Sequence, residues 1–85
     1  MTHGQVVFVS GNQGMIVVQH DDGFALVELL GSEGIFELGD AVRGDWDALG
    51  GEPIFRSGRA HDAYFQGSWG SPAPAVAMAR RSGGG

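Results

Sequence analysis

Glycine recurs along this chain at short intervals, and that spacing constrains the fold more than any other feature of the sequence. Sixteen of the 85 residues are glycine. The segments between them are short and rich in Val, Ile, Leu and Phe, and no long stretch before residue 70 has helical periodicity. Short apolar segments separated by turn residues are typical of a small closed β-barrel or a β-sandwich. The sequence therefore predicts an all-β fold for most of the chain.

Five strands are predicted in this part of the chain. The first four are QVVFVS (5–10), MIVVQ (15–19), FALVEL (24–29) and AVRGDW (41–46). Either IFRSG (54–58) or HDAYFQ (61–66) supplies the fifth. GNQG (11–14) is predicted to be a turn whose Gly-Asn pair suits positive φ, and residues 31–40 form a longer, irregular connection.

His20, Asp21 and Asp22 lie side by side between the second and third predicted strands and raise the question of a metal site. A metal site needs three or four ligands that converge from different strands. His3 and His61 have no spacing that pairs them with His20, and adjacent residues of one strand point to opposite faces. Asp-Asp-Gly, in contrast, is a common hairpin loop. We therefore predict a turn here and no metal site.

Residues 71–85 differ in composition from the rest of the chain. Ser71 suits a helix N-cap and Pro72 the first helical position, and two arginines fall where the last turn would lie. Two interpretations remain open, a short helix or a frayed Ala/Pro tail. The final SGGG is expected to be disordered. The predicted division is a barrel over 1–70, followed by a short helix and a flexible glycine-rich tail.

The charge balance argues against tight nucleic-acid binding. The chain has 10 acidic and 5 basic residues, and all the basic residues are arginine. Residues 1–70 hold three arginines against all ten acidic residues, a formal balance of −7. A body this acidic repels a polyanion, whose binding depends on cations that displace counterions from the phosphates. Only a local basic patch would overcome that repulsion.

Composition also disfavours several function classes. The chain has no cysteine, so it offers no disulfide, thiolate zinc site or thiol nucleophile. It opens without a signal-peptide pattern and has no apolar run approaching ~18 residues, so a soluble cytoplasmic protein is expected. No nucleophile elbow, phosphate-binding loop or paired-carboxylate signature is present. The acidic residues Asp40, Asp45, Asp47 and Glu52 lack the spacing of a calcium loop. We predict a non-enzyme without a cofactor or metal.

The order of the first strands resembles a known family. GQVVFVSGNQGMIVVQHDDG (4–23) resembles the opening of cold-shock domains, G-x-V-K-W-F-x-x-x-x-G-F-G-F-I-x-x-x-x-G, without a gap. The matching positions are Gly4, Val6, Gly14 and Val18. FALVEL resembles the family's next strand, and LGDAVRGD (38–45) the segment that enters its fourth. The resemblance implies a five-stranded OB-like closed barrel, an architecture shared with S1 RNA-binding domains, and binding of single-stranded RNA or DNA.

The family's binding platform is largely replaced in this chain. Cold-shock domains stack bases on aromatic rings, at ~1–3 kcal/mol per base for such contacts. Phe8 retains one of these rings in the first strand. The adjacent position, which is lysine in the family, is a valine in this chain. Aliphatic or acidic residues occupy other positions of the platform: Met15, Val17, Leu26 and Glu28. The sequence therefore predicts weak nucleic-acid binding at most.

The same outer face is predicted to be an apolar patch, made of Phe8, Met15, Val17 and Leu26. By alternation, the inside of the barrel is filled by Val6, Val9, Ile16, Val18 and Val27. Exposed apolar patches usually mark interfaces. Three possibilities remain open for what covers this patch: a second copy of the chain in a homodimer, another protein partner, or the C-terminal segment. In the last case the covering residues would be Val76, Ala79 and Met78, or Trp69 just before the helix.

FRSGRAH (55–61) is the best source of positive charge for a nucleic acid. Arg56 and Arg59 could fork onto a phosphate while Phe55 or Tyr64 stacks a base. The alternative is a solvated loop whose arginines pair with Glu52 or Asp62. The candidate nucleic-acid residues are Phe8, Phe24, Arg56, Arg59 and Tyr64. The alternative function is protein–protein interaction through Phe8, Met15, Val17 and Leu26.

Overall fold

A computed structural model describes residues 2–82 and shows a closed antiparallel β-barrel with a C-terminal helix. Its elements are β1 (Thr2–Val9), β2 (Met15–His20), β3 (Gly23–Leu29), β4 (Ala41–Gly44), β5 (Gly50–Arg56), β6 (Arg59–Trp69) and α1 (Pro72–Ser82). The strands follow the order β1-β2-β3-β6-β5-β4, and β4 pairs with β1 to close the barrel. β4 returns after a long connection to lie beside the first strand of a three-stranded meander, which is a Greek key.

The prediction of five strands was wrong, because both candidates for the fifth strand are strands. Ser57 and Gly58 form a two-residue loop between them, with φ angles of 53° and 78°. Positive φ at both loop residues is the conformation of a type I′ hairpin turn. Arg56 and Arg59 are paired across this loop. The turn therefore folds the two segments into a β5–β6 hairpin instead of leaving one of them as a connection.

The interior of the barrel contains the five residues that were predicted to fill it. Val6, Ile16, Val18 and Val27 are buried in one cluster, and Val9 packs against it. Val6 and Val9 are three positions apart, so strict alternation would send them to opposite faces. A β-bulge explains why both face inward.

The bulge lies at Val7. Val6 pairs with Val18 and Phe8 pairs with Val17, so Val7 has no partner of its own in β2. Val7 and Phe8 both pack in the cluster on the outside of the barrel. An extra residue of this kind shifts the side-chain alternation by one position. The strand after the bulge therefore returns Val9 to the interior.

Trp46 closes one end of the barrel. Its ring is buried and stacks between His20 and Phe65, with ring centroids 5.8 and 5.9 Å away. The indole Nε1 donates a hydrogen bond to the backbone carbonyl of Thr2, at 3.1 Å. Thr2 begins β1 and His20 ends β2, so both belong to the same end of the barrel. The indole joins strands that are distant in sequence.

Two glycines give this indole its space. A Cβ on Gly4 would lie 3.0 Å from the Trp46 ring, and one on Gly44 would lie 3.1 Å from it. The predicted fourth strand was expected to reach Trp46, but β4 ends at Gly44 and Trp46 lies in the following turn. The early end of β4 lets the indole turn inward over the two glycines.

The prediction that Asp21 and Asp22 form a turn is confirmed. These two residues connect β2 to β3, and His20 is paired with Gly23 across them. Gly23 has φ +154°, and a Cβ there would collide with the carbonyl oxygen of Trp69. His20 Nε2 is hydrogen-bonded to Ser68 Oγ at 2.7 Å. Within residues 2–82, no three His, Cys, Asp or Glu side chains are placed to hold a metal ion.

The GNQG turn between β1 and β2 is also present, with one difference from expectation. Positive φ falls on Gln13 (62°) and not on the Gly-Asn pair. Asn12 Oδ1 accepts hydrogen bonds from the Gly14 N–H (2.9 Å) and from the Ser10 hydroxyl (2.8 Å). Ser10 Oγ in turn accepts from the Met15 N–H at 3.0 Å. The side chains of Asn12 and Ser10 therefore stabilise the turn, which explains why a serine is buried here.

The C-terminal segment is a helix and not a frayed tail. α1 begins at Pro72, directly after the predicted N-cap Ser71, and has Arg80 and Arg81 in its last turn. Cations at a helix C-terminus interact favourably with the helix dipole. The prediction of a disordered SGGG tail is wrong for Ser82, which is the last residue of α1, and residues 83–85 lie outside the described residues. No helix within residues 2–82 is long and apolar enough to cross a membrane.

Candidate binding surfaces

α1 covers the outer face of β2 and β3 and also packs against β6. Met15, Val17 and Leu26 are buried in a cluster with Ala75 and Ala79 of the helix. The residues packed around this cluster are Val7, Phe8, Phe24, Trp69 and Val76. The apolar patch is thus covered by the C-terminal segment of the same chain, which is one of the three possibilities that the sequence left open. Val76, Ala79 and Trp69 contribute to it, whereas Met78 remains 38% exposed.

The two candidate aromatic residues on this face, Phe8 and Phe24, are half-buried against the same cluster. The guanidinium of Arg80 lies 5.5 Å from the centroid of the Phe8 ring. A cation at this distance from a ring face is attracted by the ring quadrupole. A base could stack in the manner of cold-shock domains only if α1 moved away. The helix therefore occupies the surface that the resemblance assigned to nucleic acid.

Arg56 is held in an ion pair that the sequence did not indicate. Its Nε donates to Asp40 Oδ2 at 2.7 Å, and the two side chains are 29% and 19% exposed. The backbone N–H of Glu37 donates to the same oxygen at 2.9 Å. The pair ties the connection before β4 to the end of β5. Arg59, which is exposed, is the cross-strand partner of Arg56.

These contacts set the ionisation of Asp40. Burial raises the pKa of its carboxyl, but the hydrogen bonds from Arg56 and from the Glu37 N–H, together with the Arg56 charge, outweigh burial. The pKa of Asp40 therefore lies below its ordinary value of 3.8. A carboxyl with a lowered pKa in the folded state stabilises the fold above the unfolded pKa, and this contribution is lost as the pH falls through the folded pKa.

We expect Asp40→Asn to lower the free energy of unfolding by about 1 kcal/mol at pH 7, since it breaks a partly exposed ion pair. The difference from the unmodified protein should shrink at the lowest pH at which the protein stays folded, because lowering the pH towards the folded pKa of Asp40 protonates the carboxylate that the asparagine replaces. Urea unfolding followed by circular dichroism at both pH values measures the effect. Asp47→Asn, at an exposed carboxylate outside this ion pair, is the control. An equal loss of unfolding free energy at both pH values would contradict a stabilising ion pair between Arg56 and Asp40.

Tyr64 lies on a different part of the barrel. It is 46% exposed on β6, where its cross-strand partners are Glu28 and Gly51. The five candidate nucleic-acid residues therefore fall at three places: beside α1, at the β5–β6 hairpin and on the outer face of β6. The structure does not bring them together into one site.

The structure does bring together three residues that the sequence did not single out as a group. His3, Arg43 and Phe55 are paired in one row across β1, β4 and β5. They line a cavity of about 390 Å³ together with Ala41, Val42, Ser57 and Gly58. Arg43 is exposed and has no ion-pair partner among residues 2–82. We call this surface, formed by His3, Ala41, Arg43 and Phe55, the Arg43 face.

Carboxylates are concentrated elsewhere. A second cavity, of about 210 Å³, lies at the end that Trp46 closes. Its lining includes Asp21, Asp22, Asp45 and Asp47. No carboxylate lines the cavity of the Arg43 face. An anionic ligand is therefore repelled at the Trp46 end and meets a cationic side chain at the Arg43 face.

Comparisons with known protein families, with curated proteins and with solved structures found no match to this chain.

Proposed function

We propose that this protein is a small, non-enzymatic, OB-like binding module that binds single-stranded nucleic acid weakly through the Arg43 face. The row of His3, Arg43 and Phe55 carries the proposal, because it places a cation and an aromatic ring side by side at an open cavity. Directly opposed residues of paired strands have side chains close enough to act on one ligand. The site lies on the barrel wall that α1 leaves open.

The chemistry of this row suits a nucleotide. The Phe55 ring provides a surface on which a base can stack, and stacking accepts any base because each has a π-face. The guanidinium of Arg43 can donate two parallel hydrogen bonds to a phosphate. The cavity volume, about 390 Å³, is within the range of small-ligand pockets. Ala41 and Gly58 leave room beside the ring for the sugar.

The acidic body limits the affinity. Repulsion from the remaining carboxylates opposes any polyanion, so the affinity should be low, and it should fall further as salt is added. Each phosphate that the protein neutralises adds about −0.7 to the slope of log affinity against log salt for a single strand. With one arginine in the cavity, we expect a shallow slope that corresponds to one or two phosphates.

The test measures the fluorescence anisotropy of a labelled single-stranded oligonucleotide at ~50 and ~200 mM salt, a span that shows counterion release. Phe55→Ala should weaken binding at least fivefold, in line with ~1–3 kcal/mol for a base stacked on a ring. Arg43→Ala should weaken binding and also reduce the salt slope by about 0.7. The experiment is run with RNA and with DNA.

Arg59→Ala is the matched control. It removes the same charge from an exposed position that does not line the cavity. The proposal predicts that Arg59→Ala leaves binding nearly unchanged. Equal effects of Arg43→Ala and Arg59→Ala would indicate diffuse electrostatic attraction and contradict a site at Arg43. The absence of saturable binding at ~50 mM salt would reject nucleic-acid binding altogether.

Protein–protein interaction remains the second candidate function. The patch proposed for it from the sequence, Phe8, Met15, Val17 and Leu26, lies under or against α1, so a homodimer or a foreign partner would reach it only after the helix left. A different observation favours protein binding. Large apolar side chains on and beside β3, β6 and β5 are exposed and lie outside the cluster that α1 covers.

A further inference from the structure

Three large apolar side chains are exposed around the outer surface of β3, β6 and β5. Leu30 follows the end of β3, Tyr64 lies on β6, and Leu49 precedes β5, with exposed fractions of 46%, 46% and 73%. Contiguous exposed apolar side chains on a small protein usually mark an interaction site. We call this surface the Tyr64 face and define it by Glu28, Leu30, Leu49, Glu52, Pro53, Asp62 and Tyr64.

Strand register brings these residues together from three strands. Tyr64 is paired with Glu28 on one side and with Gly51 on the other. The Leu30 N–H donates to the carbonyl of Asp62 at 3.0 Å. Asp62 is in turn the partner of Pro53. Leu30 and Pro53 therefore lie on either side of Asp62, two residue pairs beyond Tyr64.

A groove runs through this part of the face. Its volume is about 280 Å³, and its lining consists of Leu30, Gly51, Glu52, Pro53, Asp62 and Ala63. Gly51 presents no side chain, so nothing from that position fills the space beside Tyr64. The groove therefore combines apolar walls, from Leu30 and Pro53, with an open floor that an inserted side chain can reach.

The border of the groove is anionic. Glu52 and Asp62 are exposed carboxylates that line it, and Glu28 adds a third beside Tyr64. None of these three carboxylates has an ion-pair partner among residues 2–82. The ion pair in this part of the chain joins Arg56 to Asp40. The arginines of the described chain belong to the Arg43 face, the β5–β6 hairpin and α1. An apolar centre with a carboxylate border thus faces solvent.

We propose that the Tyr64 face docks a polypeptide segment in which a leucine or an aromatic residue is flanked by arginine or lysine. The apolar residue would enter the groove between Leu30 and Pro53, where it exchanges water for apolar contact. The flanking cations would meet Asp62 and Glu52, and such charge complementarity favours both encounter and register. A nucleic acid is excluded by the three carboxylates, and a second copy of the same face would bring like charges together.

The test uses two fluorescein-labelled hexapeptides, one of alternating arginine and leucine and one of alternating arginine and glycine. The two carry the same charge, so their comparison isolates the apolar contribution. Fluorescence anisotropy measures affinity for the full chain. The arginine-leucine peptide should bind saturably and at least fivefold more tightly than the arginine-glycine peptide. Amide NMR shifts should map to residues 28–30, 49–53 and 62–64.

Two pairs of variants locate the site. Tyr64→Ala should weaken peptide binding at least fivefold, whereas Leu38→Ala, which removes an exposed apolar side chain outside the Tyr64 face, should leave it unchanged. Asp62→Asn should weaken binding, and Asp21→Asn, in the carboxylate cluster at the Trp46 end of the barrel, should not. All four positions are exposed, so circular dichroism should show an unchanged fold.

Three results would overturn the proposal. Equal affinity for the two peptides would show that charge alone attracts them. Equal effects of Asp62→Asn and Asp21→Asn would show that the attraction has no fixed place on the acidic surface. A dimer of the protein itself that Tyr64→Ala dissociates, detected by analytical ultracentrifugation, would make a second copy the occupant. Arg43→Ala is expected to leave peptide binding intact, which separates this face from the proposed nucleic-acid site.

Discussion

Replacing Trp46 with alanine is expected to lower the free energy of unfolding by about 3–5 kcal/mol, the usual cost of removing a large buried aromatic side chain. The indole stacks between His20 and Phe65 and donates a hydrogen bond to Thr2. Since small domains have a total stability of about 5–15 kcal/mol, this loss removes a large fraction of it. Urea unfolding followed by far-ultraviolet circular dichroism measures the difference.

Tyr64→Ala is the control for this experiment. It also removes an aromatic ring from the barrel, but from an exposed position of β6. Surface substitutions of this kind usually change stability by no more than about 0.5 kcal/mol. If the two variants lost the same free energy of unfolding, the packing of the indole at the end of the barrel would be contradicted.

Ala79→Glu should release α1 from the barrel. Ala79 is fully buried against a cluster that contains Met15, Val17 and Leu26. A carboxylate at this position would be buried without a partner, and leaving a buried charge uncompensated is strongly destabilising. We expect a loss of about 2–4 kcal/mol in the free energy of unfolding, limited by the free energy with which the helix docks. The uncovered strand face should bind the dye ANS, which reports exposed apolar surface.

Ala77→Glu provides a matched control on the same helix. Ala77 is exposed, so the new charge stays in water while helix propensity and net charge change in the same way. This variant should bind no more ANS than the unmodified protein. If Ala79→Glu behaved like Ala77→Glu, the docking of α1 on β2, β3 and β6 would be contradicted. If Ala79→Glu alone gained affinity for a partner, the covered patch would be that partner's site.

The parts of the fold that depend on local patterns were predictable from the sequence. The alternation in MIVVQ and FALVEL identified β2 and β3 and placed Val17 and Leu26 outside, because side-chain direction in a strand follows the sequence directly. Asp-Asp-Gly identified the turn between them, and Ser71-Pro72 the start of α1. Each of these signals is contained within a few neighbouring residues.

The Ser57-Gly58 turn was missed although it is local, because it places a serine at positive φ, which is uncommon for a residue other than glycine. Pairing between distant segments was not predictable from local patterns. Arg56 was expected to pair with a carboxylate near it in sequence, but its partner Asp40 is brought to it by the connection before β4.

The composition of the Arg43 face was likewise only partly predictable from the sequence. The alternation of Ala41, Val42 and Arg43 already indicates that Arg43 faces outward from β4. That His3 and Phe55 flank it follows only from the register of β4 with β1 and β5, and this register is set by closure of the barrel. The Arg43 face therefore emerged from the structure, whereas the aliphatic character of the face under α1 was visible in the sequence.

The position of α1 after the strands of the barrel has a consequence for synthesis on the ribosome. The strands that contribute Met15, Val17 and Leu26 to its docking surface are complete at Leu29, but the helix begins only at Pro72. At roughly 5–20 residues per second, the nascent chain needs roughly 2–9 s to add the residues between these two points. Throughout that interval, Met15, Val17 and Leu26 have no cover from their own helix. Slow translation lengthens the period in which this surface is open to aggregation or to a chaperone.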